Sequence, residues 1–148
     1  MNAKLHAAAG TVALLTICAF WLSTVAVELT GTPPAIATVK TAILYGMAVL
    51  IPAMAAAGSS GAALGRGVKL PLVAAKARRM KFIAGNGLIL LLPSAVFLAL
   101  RAQAGAFDGW FYTVQAVELA AGATNITLLS LNLRDGLRLA ARRKVARA

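Results

Sequence analysis

The chain has 148 residues, 60% of them hydrophobic and only 13% charged, yet it carries a formal net charge of +11. A mean hydropathy of +0.81 excludes an ordinary soluble globular domain. The positive charges are grouped in a few segments between long apolar runs, which argues against a nucleic-acid groove binder and for a membrane protein with basic ends.

The first apolar run, about residues 7–30, follows Asn2, Lys4 and His6. A signal peptide also starts with a short basic region. This run is long for a signal core, however, and no small-residue cleavage site follows it, so it reads as the first span. At helical spacing Thr11, Leu14, Cys18, Trp21, Val25 and Glu28 share a side. Cys18 is the single cysteine; it lies in an apolar run and reads as a small buried hydrophobe.

Gly31, Pro33 and Pro34 make a turn into the second span, 35–57, because proline suits a first helical turn. Here Lys40, Leu44, Met47, Ile51, Met54 and Gly58 fall on one face, with Lys40 placed well inside the span. Residues 58–81 read as the longest connection. It comprises a flexible glycine-rich GSSGAALGRG and a short basic helix starting near Pro71. Its glycines lack the lysine ending and the preceding strand of a phosphate loop. Lys76, Arg78, Arg79 and Lys81 suit a surface of anionic lipid.

The third span, 82–101, carries Gly85-Asn86-Gly87 near its start and Pro93-Ser94 in the middle, and it ends on Arg101. Asn86 is placed to hydrogen-bond across helices, and Pro52 and Pro93 are expected to kink their spans. Lys40-x5-Gly46-x5-Pro52 recurs as Lys81-x5-Gly87-x5-Pro93. A duplicated pair of spans would match first to third and second to fourth, so this match between neighbours reads as coincidence.

After a short loop, the aromatic run Trp110, Phe111 and Tyr112 opens the fourth span, 110–133. Gln115, Glu118, Gly122, Asn125, Leu129 and Asn132 form a polar seam down one side of it. A carboxylate in mid-span costs about 2.5–3.5 kcal/mol on insertion scales, so Glu118 should face protein or a water-filled cavity. The basic tail, 134–148, reads as a topology signal and lipid contact.

The fold expected is therefore an all-α bundle of four transmembrane helices in one domain. Lys4, Arg66, Lys69, Lys76, Arg78, Arg79, Lys81 and the tail cations fall on one side, while Lys40 and Arg101 lie towards the other. The positive-inside rule then puts both termini in the cytoplasm of a bacterial-type inner membrane. On that topology Glu28, Lys40, Arg101, Gln115 and Glu118 occupy the outer half as an ion-pair cluster or polar cavity, with Lys40 paired to Glu118. Asn86, Asn125 and Asn132 are expected to join helices.

No catalytic or metal-binding motif stands out, and enzymatic activity is not expected. Heme b held by two facing histidines would need a second histidine. His6 is alone, expected exposed at the cytoplasmic surface, with Met47 or Met54 as its only thioether companions. The readings are, in order, a non-enzymatic anchor, accessory or self-associating bundle; a small transporter or ligand-binding bundle with an outward polar cavity around Glu118; and a redox protein carrying heme or quinone. The partners expected are lipid, a protein subunit or a second copy, and no nucleic acid.

Overall fold

A computed structural model describes residues 3–145, and all secondary structure among them is helical. Helix α1 covers Ala3–Thr30 and α2 covers Pro33–Gly65. Helix α3, Pro71–Asn86, passes through a π turn, Gly87–Leu91, directly into α4, Leu92–Gln103. Helix α5 covers Gly109–Val145. With α3, the π turn and α4 taken as one rod, four helices are long and apolar enough to cross a membrane. Residues 146–148 of the basic tail lie outside the described residues.

The helices overshoot the spans read from hydropathy. The 33 residues of α2 reach about 50 Å at 1.5 Å per residue, against about 30 Å of hydrocarbon. The expected connection 58–81 therefore shrinks to residues 66–70, and the glycine-rich stretch is helix, not flexible loop. Its small residues are used for close approach. Ser60 is buried and bonds back to the Ala56 carbonyl. A Cβ on Gly61 would lie 3.0 Å from the imidazole of His6. The short basic helix does begin at Pro71, but it is the lower part of the third rod rather than a separate surface helix.

Pro93 explains the π turn. Proline cannot donate to the preceding turn, and its ring crowds the carbonyl there. Widening that turn accommodates the ring, and the Leu92 N–H bonds the Gly87 carbonyl five residues back. Pro52, by contrast, sits within a helix assigned as α throughout.

Helix α1 packs on α2 and α5, α2 packs on α4, and α3 packs on α5, while α2 and α3 touch least. Two apolar clusters result. One joins Val27, Ile36, Leu98, Ala102 and Phe111 near the short turns; the other joins Ala13, Ile17, Leu50, Ile83 and Leu129 nearer the termini. The buried face of α1 is Ala9, Ala13, Ile17, Thr24 and Val27. The face read from sequence is only its flank, and Thr11 is exposed. The α4–α5 turn is closed by Gly105 at φ 67° and by the Ala106 N–H on the Arg101 carbonyl at 2.9 Å, a Schellman closure. Asp108 then caps α5 by accepting the Phe111 N–H at 3.1 Å.

Candidate functional site

Between the two apolar clusters lies a polar layer built on the seam of α5. Lys40 of α2 has a side chain only 1% exposed, and its Nζ lies 2.7 Å from Glu118 Oε2. Gln115, one turn earlier, donates to the same oxygen at 3.2 Å, and Lys40 also reaches Thr24 Oγ1 of α1 at 3.5 Å. Three helices thus meet around the Lys40 ammonium, which reaches Glu118 of α5 and Thr24 of α1. Glu118 Oε1 accepts no hydrogen bond from the described residues.

Of the other two residues read into this cluster, Glu28 is within electrostatic reach of Lys40 and Glu118, but its buried Oε1 has no hydrogen-bond partner. Arg101 is drawn elsewhere. It pairs with Asp108 across the α4–α5 turn and lies over the Phe97 ring, 5.9 Å from its centroid. That guanidinium holds the exposed Asp108 carboxyl below the usual carboxylate range, helped by the Phe111 N–H. Arg101 is therefore a loop clasp, not part of the Glu118 cluster.

The lower seam joins α5 to α3. Asn86 donates to the Ala121 carbonyl at 2.9 Å and to Asn125 Oδ1 at 2.8 Å, and Asn125 donates back to the Ile83 carbonyl at 3.3 Å. Asn132 accepts from Arg79 at 3.3 Å and donates to the Lys76 carbonyl at 3.5 Å. All three asparagines span between helices.

Sequence reasoning missed Asp135. It is fully buried, 2.6 Å from Arg79 Nη1 and 3.2 Å from Arg134 Nη2. The seam itself points to it, because Asp135 follows Asn132 by three residues, but the apolar run ends at Leu133 and Asp135 lies among the tail cations. His6 also differs from expectation. It is half-buried, its Nδ1 lying 3.1 Å from the Ala57 carbonyl and 3.0 Å from Ser60 Oγ. The extended α2 reaches far enough to meet it, so the imidazole is part of the helix packing.

A cavity of about 350 Å³ lies beside this layer, within the 300–1,000 Å³ usual for small-molecule sites. It is not the outward polar cavity expected. Of Glu28, Lys40, Arg101, Gln115 and Glu118, only Glu118 lines it. Most of the wall is apolar, including Ile17, Phe20, Ile43, Met47, Leu50 and Met54, with Thr24, Trp21 and Asn125 as further polar liners. Trp21 has already given its indole N–H to the Leu119 carbonyl at 2.9 Å.

Comparison with protein-family models, with curated proteins and with solved structures found no match. Lys40, Gln115, Asn86, Asn125 and Asp135 are engaged with other helices or with Glu118. The arrangement holds helices in register and presents one apolar void with a carboxylate in its wall.

Proposed function

We propose that this chain is a small, non-enzymatic multi-pass protein of a bacterial-type inner membrane. It serves as an anchor or accessory subunit of a larger assembly or as a self-associating bundle. The observation that carries the reading is where the interior polar groups are used. Lys40–Glu118, Asn86–Asn125 and Arg79–Asp135 each tie two helices together. Groups used in this way position helices rather than wait for a substrate.

In this reading both termini and the α2–α3 connection are cytoplasmic. Lys4, Arg66, Lys69, Lys76, Arg78, Arg79, Lys81, Arg134 and Arg138 gather at that end, whereas Lys40 and Arg101 towards the other are matched by Glu118 and Asp108. The charge asymmetry is what the positive-inside rule uses, and the basic end suits anionic headgroups. Trp110 and Tyr112, both exposed, would lie at the opposite interface.

Two measurements test this. Cysteine placed at exposed Lys69 in a Cys18→Ser background should resist an impermeant maleimide in intact cells, and cysteine at exposed Ala104 should react. The reverse pattern would overturn the topology. Gentle extraction from native membranes, followed by mass spectrometry of the intact particle, should show a companion subunit or several copies of the chain. A lone monomer throughout would remove the anchoring role.

A further inference from the structure

The cavity has a feature that its volume alone does not convey. Its exposed liners are Ile51 and Ala55 of α2, Ala84 of α3 and Leu88 of the π turn. They lie on α2 and on the rod that α3 forms with the π turn, two elements that touch each other little, and within the apolar length of two candidate spans. A mouth in that place opens sideways into hydrocarbon, not towards water.

An apolar void of this size cannot be filled well by water, which needs two to four polar partners. Its walls gain dispersion contacts only if an apolar molecule enters. A plain acyl chain would provide those contacts but would leave Glu118 Oε1 without a donor beside hydrocarbon, where an unmet polar group is costly. Lys40 and Gln115 both go to the other oxygen, Oε2. A headgroup that accepts only, or that is anionic, has nothing to offer this carboxylate.

We propose that the cavity binds a single-chain membrane amphiphile whose head carries a hydrogen-bond donor, a hydroxyl or an amine. The head bonds Glu118 Oε1, and the chain leaves between α2 and α3 into the bilayer. The site is independent of whether the protein anchors a partner. Gly58 and Gly87 also line it, and a Cβ on either would come no closer than 3.7 Å to a neighbour, so the space beside them is open.

Trp21 lines the cavity and is one of two tryptophans, so Trp110→Phe leaves a single reporter in the full-length protein. In nanodiscs, chain-brominated octadecanol and octadecylamine should quench Trp21 saturably. The methyl ether of the same alcohol, equal in chain but lacking the donor, should bind about ten-fold more weakly. Ala84→Phe and Ala55→Phe fill the mouth from lipid-exposed positions and should weaken the alcohol by about ten-fold or more. Glu118→Gln keeps an acceptor but loses the charge, and should reduce the preference for amine over alcohol.

Quenching that rises linearly with probe and ignores Ala84→Phe would mean simple partitioning, and the site would be refuted. Saturable but equal binding of alcohol and ether would refute the headgroup assignment. If Glu118→Gln fails to fold, the alcohol–ether comparison on the otherwise wild-type chain still decides the matter.

Discussion

Lys40 and Glu118 hold the most consequential contact of the bundle, because Lys40 is 1% exposed and Glu118 is its salt-bridge partner, with Glu28 in electrostatic reach but not in contact. Removing one member leaves the other charged in a low-dielectric interior, which costs about 3–5 kcal/mol in buried pairs. Lys40→Met and Glu118→Met should each lower stability by roughly that amount, and the double variant should lose much less than the sum. Reversible unfolding in mixed micelles measures this, and strictly additive losses would show that the contact is not energetically real. A second residue-scale test concerns Gly46, where an added Cβ would collide with the Phe20 ring. Gly46→Ala should destabilise by about 1–3 kcal/mol, and Phe20→Ala should relieve the strain in the double variant. Glu118 was legible from sequence because carboxylates in apolar runs are rare and expensive. The need for glycine at position 46 was not, since nothing local indicates that an aromatic ring from another helix arrives there.

At the scale of elements, the α3–α5 pair is stitched from Asn86–Asn125 down to Arg79–Asp135. Asp135→Asn should cost about 1–2 kcal/mol, less than a fully buried pair because the Arg79 side chain is 24% exposed. The loss should be local. Hydrogen exchange should quicken over residues 129–141 and stay unchanged over 111–122. At the other end, Asp108 both caps α5 and pairs with Arg101. Its folded carboxyl titrates below its unfolded value, so its contribution is complete above the unfolded value and disappears as pH falls through the folded one. Asp108→Asn should therefore remove a stability loss that the parent shows only in the acid range, measurable by melting at stepped pH. Hydropathy starts a span where charge stops, whereas backbone hydrogen bonding carries the helix through Lys76, Arg78, Arg79 and Lys81 without interruption.

At the scale of the whole molecule, two apolar clusters bracket one ion-pair layer, and the helices continue beyond their apolar runs at the basic end. That extension brings His6 to α2 and Arg79 to Asp135, so the basic end of the bundle is packed rather than draped on lipid. The four spans, their polar seam and the asymmetry of charge were determined by the sequence alone, because hydropathy, helical period and insertion cost act within one helix at a time. The tertiary structure alone decided that Arg101 turns to Asp108, that Asp135 is buried, and that the void beside Glu118 is apolar and opens sideways. Each of these depends on which helix lies opposite and how closely it approaches, and no single helix encodes that.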